Sequence, residues 1–485
     1  MITFRPIFFI IGFLVFVLSC LMTIPMLLEL RDSTQEWQSF ALAGIIGAVI
    51  SLLFIFSTHS DEPITLRTQE VFLLTALSWI TLCLLGSLPF FLSQTLSLTF
   101  TDAVFESTSG LTTTGSTILT NLDHVSRGFL LWRALLQGIG GIGIIVMALT
   151  ILPFLRIGGM HLFHSEFSDR SEKILPRVSQ ITSAIFMIYS FLIIVCILLL
   201  NLAGMTPFDA LCHGLSTIST GGFSTHNNSI NAYSNNTLLQ IILIIFMIIG
   251  GSTLILFIRF SRGETRVLWQ DAQMRAYLYV LGTCIALLSL WNVTVNNQPI
   301  AQSLLNSSFS VASIITTTGF ITGDYSTWGG FPVVLFFFLM FSGGCTGSTS
   351  GGIKIFRFQV LCLIARTHLK LLRLPHGIFI PIYNKHPISE SITLSVLTFF
   401  TLYGFSFAAI AAALALTDLD LVTALSAAAS SLGNVGPGLG NIIGPTGTFA
   451  SLKNEAKWIL TFAMLLGRLE LLTILILFTP TFWRH

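Results

Sequence analysis

The fold is decided by a short Ser/Thr-rich segment that ends in glycine and occurs four times, first as Leu111-Thr112-Thr113-Thr114-Gly115-Ser116. The other copies read Thr217-Ile218-Ser219-Thr220-Gly221-Gly222, Ile315-Thr316-Thr317-Thr318-Gly319-Phe320 and Leu432-Gly433-Asn434-Val435-Gly436-Pro437. With Gly115, Gly221, Gly319 and Gly436 taken as equivalent, the copies lie 106, 98 and 117 residues apart. A segment that recurs at nearly constant spacing indicates an internal fourfold repeat.

Each copy follows an amphiphilic stretch too short to cross a bilayer and precedes a full apolar span. Ten apolar runs are long enough, at about 20 residues, to cross the hydrocarbon core of a membrane. They lie near residues 6–29, 39–57, 70–93, 128–152, 182–204, 237–260, 274–292, 330–342 continuing into 353–365, 391–416 and 456–480. Three of the short stretches begin with helix-capping pairs, namely Thr99 with Asp102, Thr206 with Asp209, and Thr417 with Asp420.

The predicted fold is therefore an all-α polytopic membrane protein with ten transmembrane helices and four re-entrant half-helices. Two N-terminal helices precede four repeats of span, half-helix, loop and span in a pseudo-fourfold arrangement. The predicted units are residues 1–60 for the N-terminal pair, then 61–165, 166–265, 266–385 and 386–485 for the four repeats.

Composition agrees with this class, because 53% of the 485 residues are apolar and only 9% are charged. Such a chain excludes a disordered protein, a secreted disulfide scaffold and a nucleic-acid binder. Arg5 and the apolar run before Cys20 also fit a signal peptide or lipoprotein leader, but the run continues to Leu28 and favours a span.

Basic residues predict the orientation, since cytoplasmic loops of membrane proteins carry an excess of Lys and Arg. With both termini in the cytoplasm, 17 of the 23 basic residues fall on that side. They cluster in Arg156–Arg177, Arg259–Arg275 and Lys354–Lys385.

The four loops predict a path for a cation. Irregular backbone at membrane depth survives only where protein surrounds it or it lines an aqueous path. Each preceding half-helix points its partially negative C-terminal end towards that path, and glycine allows carbonyl oxygens to turn inward. One Thr-Thr-Gly is more often a packing feature, but four copies favour an ion site, and the absence of a carboxylate ring from these segments argues against a divalent cation.

The repeats resemble the superfamily of K⁺ transporters that includes Trk, Ktr and the plant high-affinity transporters (HKT). Within it, the chain resembles the TrkH/TrkG membrane subunits of Trk-type bacterial potassium uptake systems. The resemblance covers nearly the whole chain and rests on the extra N-terminal pair of spans, Trp132-Arg133 leading to Gly138-Ile139-Gly140-Gly141-Ile142-Gly143, Asn434-Val435-Gly436-Pro437-Gly438-Leu439-Gly440, Gly467-Arg468-Leu469-Glu470 and Phe478-Thr479-Pro480-Thr481-Phe482-Trp483.

The resemblance implies that the half-helices are pore helices and that the four loops form a K⁺ selectivity filter. Its residues would be Thr113, Thr114, Gly115, Ser219, Thr220, Gly221, Thr317, Thr318, Gly319, Asn434, Val435 and Gly436. One glycine per repeat implies a shorter and less selective filter than that of K⁺ channels, and Gly115 favours K⁺ over Na⁺. The fourth copy departs from the Thr pattern at Asn434-Val435, which leaves its ligand geometry the least defined.

The eighth apolar run is broken by eleven small or polar residues, Ser342–Gly352. The resemblance makes this break a gating loop, with Gly343, Gly344, Cys345, Thr346, Gly347, Ser348, Thr349, Ser350, Gly351, Gly352 and the intramembrane Arg468 as gate residues. A static helix kink is the alternative for the break. For Arg468 the alternative is an anchor between helices; Glu470, two positions away, points to another face and is not expected to pair with it.

Regulation by nucleotide is expected only from another chain, because no Gly-x-x-x-x-Gly-Lys-Ser/Thr and no Gly-x-Gly-x-x-Gly following a strand occurs here. The resemblance implies a cytosolic TrkA-type subunit that binds ATP/ADP or NAD, a homodimer of the membrane subunit in the lipid bilayer of the bacterial inner membrane, and no nucleic-acid partner. K⁺ would be the transported ion, with no cofactor on this chain. The basic loops either contact the partner or only set the topology.

The predicted function is gated potassium uptake, and the alternative is a secondary cation transporter coupled to H⁺ or Na⁺. An enzyme is not expected, because the sequence has no HExxH, GxSxG or paired catalytic carboxylates. His213 is expected to be a packing or hydrogen-bonding residue. Glu106 is expected either to reach the outer vestibule or to be a satisfied buried carboxyl.

Overall fold

The computed structural model describes residues 3–60, 66–155, 175–384 and 386–483 and is mainly helical, with one two-stranded antiparallel ribbon. The helices are α1 (Phe4–Leu21), α2 (Thr23–Arg31), α3 (Trp37–Thr58), α4 (Thr68–Leu92), α5 (Phe100–Leu111), α6 (Arg127–Leu155), α7 (Leu175–Leu202), α8 (Pro207–Ile218), α9 (Thr237–Gly250), α10 (Leu254–Ser261), α11 (Val267–Gln270), α12 (Ala272–Thr294), α13 (Ile300–Ile315), α14 (Gly330–Leu339), α15 (Ile355–Arg373), α16 (Glu390–Ala415), α17 (Leu421–Gly433), α18 (Asn454–Arg468), α19 (Leu472–Leu475) and α20 (Pro480–Trp483). Strands β1 (Ile382–Tyr383) and β2 (His386–Pro387) form the ribbon. The predicted boundary at residue 165 and most of the basic group Arg156–Arg177 lie outside the described residues.

Seven helical stretches of the described chain are long and apolar enough to cross a membrane. Two further spans are helix pairs bent at a short break: α9 with α10, by 97°, and α18 with the turn that ends at Phe478, by 107°. The sequence predicts runs 237–260 and 456–480 as continuous spans, and the structure breaks both. The first break falls at Gly251-Ser252-Thr253, and the second at Glu470 and Leu471, whose φ angles are 58° and 31°.

The predicted interruption of the eighth run is present. Helix α14 ends at Leu339 and α15 begins at Ile355, with non-helical backbone from Ser342 to Lys354. A parallel bridge between Ser342 and Ile353 closes the base of this loop. We refer to Ser342–Gly352 as the intramembrane loop.

The four short helices, α5, α8, α13 and α17, contain 12, 12, 16 and 13 residues. At 1.5 Å per residue each rises about 18–24 Å, which is less than the bilayer core. Thr99 and Thr206 cap α5 and α8 as predicted, each accepting a hydrogen bond from the backbone three residues on. For α17 the predicted cap Thr417 is wrong: its hydroxyl bonds back to Leu414, and Asp420 caps the helix instead.

The short helices form the centre of a ring of packed helices. Helices α4, α7, α12 and α16 each pack on the short helix that follows them. Further contacts join neighbouring repeats, since α6 packs on α8, α9 on α13, and α18 on α5. The last of these contacts closes the ring, because it joins the fourth repeat to the first. Helices α1 and α3 pack together outside the ring and lie against α4.

Candidate functional site

All four short helices end in the same backbone turn. The left-handed residue is the second after the end of α5, α8 and α13 and the first after α17. The φ angles are 51°, 53°, 57° and 53° at Thr113, Thr220, Thr317 and Asn434. The amide of the left-handed residue donates to the carbonyl three residues before it, as Thr113 N does to Gly110 O at 3.0 Å. The next amide donates to the carbonyl five residues before it, as Thr114 N does to Ser109 O at 2.9 Å. This pair of hydrogen bonds is the Schellman motif, which satisfies carbonyls at a helix end and usually places glycine or asparagine at the left-handed position.

Threonine is an unusual residue for that position. A β-branched side chain at positive φ is a genuine outlier, and such strain costs about 1–3 kcal/mol and clusters at functional sites. Asparagine tolerates the conformation much better. The departure of the fourth copy from the Thr pattern at Asn434 therefore suits the turn that all four copies share.

Four glycines join the loops into a closed ring. Gly115, Gly222, Gly319 and Gly436 have φ of 85°, 79°, 79° and 106°. A Cβ on each would lie 2.3, 1.8, 2.2 and 2.6 Å from a carbonyl oxygen of the neighbouring repeat, namely that of Gly221, Thr318, Val435 and Thr114 in the same order. The fourth contact returns to the first repeat. The same four glycines line one cavity of about 80 Å³.

The register of the second repeat differs by one residue from the sequence prediction. The ring glycine there is Gly222, and Gly221 supplies the carbonyl that Thr114, Thr318 and Val435 supply in the other repeats. Ser219 is therefore equivalent to Thr112, and the triad that corresponds to Thr113-Thr114-Gly115 is Thr220-Gly221-Gly222. The second repeat has two consecutive glycines, so the local sequence fits both registers. The left-handed turn at Thr220 and the contact of Gly222 with Thr318 decide between them.

Hydrogen bonds between hydroxyl and amide side chains stabilise the turns. Thr112 Oγ1 lies 2.7 Å from Thr114 Oγ1, and Thr316 Oγ1 lies 2.7 Å from Thr318 Oγ1. Asn434 Nδ2 donates to Thr114 Oγ1 at 3.0 Å and thus links the fourth repeat to the first. All of these side chains are buried.

A buried ion pair supports the first two loops. Glu106 Oε1 accepts from Arg133 Nε at 2.7 Å, and its carboxylate also accepts from Thr117 Oγ1 and from the amide of Ile118 at 2.9 Å each. Arg133 donates onward to the carbonyl of Ser224 at 3.0 Å, in the loop of the second repeat. Glu106 is therefore a satisfied buried carboxyl, the second of its two predicted readings.

Two further polar residues act on the second loop. Gln137 Nε2 donates to the ring carbonyl of Gly221 at 2.6 Å, and its Oε1 accepts from the amide of Phe223 at 3.2 Å. Gln137 is not among the residues predicted from the sequence, although a glutamine inside an apolar span is a signal of a functional position. His213 is fully buried, with Nδ1 2.8 Å from the carbonyl of Asp209 and Nε2 3.0 Å from Ser224 Oγ.

The intramembrane loop packs directly against the four-loop ring. Gly351 N donates to Thr317 Oγ1 at 2.7 Å, and Thr349 Oγ1 donates to the carbonyl of Ile218, the last residue of α8, at 2.9 Å. Cys345 N donates to the carbonyl of Gly251 at 2.8 Å, at the break between α9 and α10. The first of the two unexpected helix breaks, at Gly251-Ser252-Thr253, therefore provides a backbone carbonyl that holds this loop.

Arg468 is the last residue of α18 and is 2% exposed. It donates to the carbonyl of Thr349 in the intramembrane loop at 2.9 Å and to the carbonyl of Gly140 at 3.1 Å. Its guanidinium makes no ion pair with a carboxylate of the described residues. Glu470, as expected, does not pair with it and instead accepts from Arg357.

The chain is similar to known proteins along nearly its whole length. Residues 36–484 match the family model described as TrkH, cation transport protein. The Trk system potassium uptake protein TrkI of Halomonas elongata is 43% identical over 99% of this chain and 97% of its own length. The Trk system potassium uptake protein TrkH of Escherichia coli K12 is 38% identical over 99% and 100%. The crystal structure of the potassium transporter TrkH from Vibrio parahaemolyticus superposes with a TM-score of 0.92 at 35% identity, covering both chains completely.

Proposed function

The chain belongs to the TrkH family of cation transport proteins, and on that premise we propose that it is a potassium uptake transporter of the Trk system. It is a multi-pass membrane protein and not an enzyme. The single observation that carries the proposal for its mechanism is the closed ring of Gly115, Gly222, Gly319 and Gly436. The curated relatives at 34–43% identity are Trk system potassium uptake proteins.

The four-loop ring is the selectivity filter. Neutral carbonyl and hydroxyl oxygens replace the hydration shell of a monovalent cation, and the buried loops here offer no carboxylate of their own. The proposed filter residues are those predicted for the first, third and fourth repeats, together with Thr220, Gly221 and Gly222 in the second repeat, where Gly222 replaces Ser219. Strained threonines at the turn positions keep these oxygens in place without adding charge.

The intramembrane loop with Arg468 is the gate. Its small residues fill the space next to the ring, where Thr349 and Gly351 contact α8 and the third loop. Arg468 adds a positive charge close to that contact, which opposes the passage of a cation. Opening requires the loop to exchange these hydrogen bonds for others. The helix breaks next to the loop, at Gly251-Ser252-Thr253 and at Glu470 and Leu471, permit such a movement.

The arrangement proposed for the full chain is ten spans and four pore helices, with α14 and α15 counted as one broken span. We place the protein in the bacterial inner membrane with both termini in the cytoplasm, following the distribution of basic residues. A homodimer and a cytosolic TrkA-type subunit that binds nucleotide complete the proposed system. The basic residues of α15 and of the segment 259–275 lie on the face that such a subunit would contact.

The test is flux through the purified chain in liposomes. We expect ⁸⁶Rb⁺ uptake driven by its own gradient, blocked by excess K⁺ and lost in Gly115→Ser, in which the new side chain meets the carbonyl of Gly221. The matched control is Gly282→Ser, since a Cβ there meets nothing within 4 Å. Strict dependence of uptake on a gradient of H⁺ or Na⁺ would instead support the coupled transporter.

Complementation tests the complete system. A bacterium deficient in K⁺ uptake should grow at low K⁺ when it expresses this chain together with a TrkA-type subunit. Growth that is equal with and without that subunit would contradict the proposed partner, and growth that Gly115→Ser leaves intact would contradict the filter.

A further inference from the structure

A second cavity, of about 20 Å³, lies where the intramembrane loop meets the bend after α18. Three basic side chains line it, those of Lys354, Arg357 and Arg468, together with one acidic side chain, that of Glu470. All three basic residues are at most 8% exposed. This is an excess of positive charge in a part of the protein that lies between membrane-spanning helices.

The hydrogen bonds of the cavity do not neutralise that charge. Glu470 accepts from Arg357 and offsets one cation. Lys354 Nζ donates to the carbonyl of Ser350 at 2.5 Å, and Arg468 donates only to carbonyl groups. An ammonium group relieves its burial by losing a proton, but a guanidinium does not deprotonate in proteins. At least one positive charge therefore remains unpaired whichever form Lys354 takes.

Two donors at the cavity are also unused. Arg357 Nε and Arg468 Nε are both buried without a hydrogen-bond partner in the described part of the chain. Buried donors without partners are rare because each costs the desolvation of the group. The cavity volume corresponds to about one water-sized sphere. A space of this order suits one small ion better than sulfate, phosphate or a carboxylic acid.

We propose that this cavity binds one small monovalent anion of the chloride class. The anion accepts hydrogen bonds from the arginine Nε groups, neutralises Arg468, and ties the loop residues Ser350 to Gly352 to the bend after α18. Binding of the anion does not depend on the proposed transport function. Only the further consequence, that the anion favours the closed position of the loop, rests on the intramembrane loop being the gate.

The direct test uses bromide as the probe, because bromide scatters X-rays anomalously. Crystals of the full chain grown in sodium bromide should show one anomalous peak bounded by Lys354, Arg357 and Arg468. Absence of a peak there, with bromide visible elsewhere or not at all, overturns the proposal. Density that is the same in bromide and in gluconate, and that shows no anomalous signal, identifies a water and also overturns it.

Thermal unfolding in detergent gives a second readout. At constant ionic strength, replacing gluconate by chloride should raise the apparent Tm by about 1–2 °C for each tenfold rise in chloride above the dissociation constant. Glu470→Gln removes the carboxylate that competes with the anion, and should shift the midpoint of this titration to lower chloride. Arg468→Gln should abolish the chloride dependence. Arg127→Gln removes an exposed arginine with the same change of charge and should leave the dependence unchanged.

An apparent Tm that is equal in chloride and gluconate for the unaltered protein contradicts the proposal, even if Arg468→Gln fails to fold. The flux consequence is tested separately in liposomes: ⁸⁶Rb⁺ uptake should rise several-fold when gluconate replaces chloride on both sides. A bromide peak without a change of flux keeps the anion site and contradicts the proposed effect of the anion on the position of the loop.

Discussion

Asn434 of the fourth repeat donates a hydrogen bond of 3.0 Å from Nδ2 to the hydroxyl of Thr114 in the first repeat. The same Nδ2 also donates to the carbonyl of Met464 at 2.9 Å, in α18. Asn434 has φ of 53°, so its backbone occupies the turn position that is threonine in the other repeats. One side chain thus holds together the two ends of a chain segment more than 300 residues long.

Asn434→Gly separates these two roles, because glycine keeps the left-handed backbone and removes the amide. We expect ⁸⁶Rb⁺ uptake to persist while the preference for K⁺ over Na⁺ falls, since the loop of the fourth repeat loses its connection to the first. Competition of Na⁺ with ⁸⁶Rb⁺ in liposomes measures this. Selectivity equal to that of the unaltered protein would show that the bond is only structural.

Gly222→Ala should abolish uptake, whereas Gly221→Ala should reduce it less. A Cβ on Gly222 lies 1.8 Å from the carbonyl oxygen of Thr318, which is fixed backbone. A Cβ on Gly221 lies 2.3 Å from Cδ of Gln137, the end of a flexible side chain that is able to move. Parallel measurements of expression, melting and ⁸⁶Rb⁺ uptake check this order. The reverse order would restore the register predicted from sequence.

Arg468→Gln should raise cation flux in the absence of any cytosolic subunit. The change removes charged hydrogen bonds to Thr349 and Gly140, each worth about 1.5–3 kcal/mol. A loss of that size in the closed state increases the open population by about tenfold or more. Arg468→Lys keeps the charge but cannot make both hydrogen bonds in the same geometry. Its flux should therefore lie between that of the unaltered protein and that of Arg468→Gln. Unchanged flux with normal expression would remove Arg468 from the gate.

Glu106→Gln should destabilise the protein by about 3–5 kcal/mol, because it leaves Arg133 as an uncompensated buried charge. Both side chains are at most 2% exposed. The double variant Glu106→Gln with Arg133→Met should recover much of this loss, since it removes the charge together with its partner. Apparent melting temperatures in detergent test the pair. A double variant less stable than Glu106→Gln would contradict this account.

His226 should make stability depend on alkaline pH. Interaction with Asp209, whose carboxylate lies 3.7 Å from Nε2, and with Asp123, 2.8 Å from Nδ1, raises the pKa of His226 to about 9. Since the folded pKa lies above the unfolded value of about 6.5, the stabilisation is complete below pH ~6.5 and is lost as pH rises through 9.

The measurement is the difference in apparent Tm between the unaltered protein and His226→Gln from pH 6 to 10. We expect this difference to shrink across that range and to vanish above about pH 9. His124→Gln is a matched control at a second histidine, which directly follows Asp123. A difference that stays constant with pH would assign His226 a purely structural contact.

Local patterns in the sequence were sufficient for the membrane class, the four repeats and two of the three helix caps. Hydropathy, glycine spacing and a Thr-x-x-Asp pair can be read from the sequence alone. What they predict does not depend on which distant residues come into contact. The cap of α17 was misplaced by three residues because Thr417 and Asp420 are both good capping residues, and the end of α16 decided between them.

Tertiary structure alone decided the details of the site. Gly221 and Gly222 are equivalent as sequence, and the carbonyl of Thr318 selects Gly222 for the ring. The breaks at Gly251 and Glu470 lie in runs whose composition suits a continuous helix. At the first break the intramembrane loop binds the carbonyl of Gly251. At the second break Arg357 binds the carboxylate of Glu470. The partners Glu106 with Arg133 and Gln137 with Gly221 are 27 and 84 residues apart. Contacts at such separations depend on how whole helices pack, which no short stretch of sequence specifies.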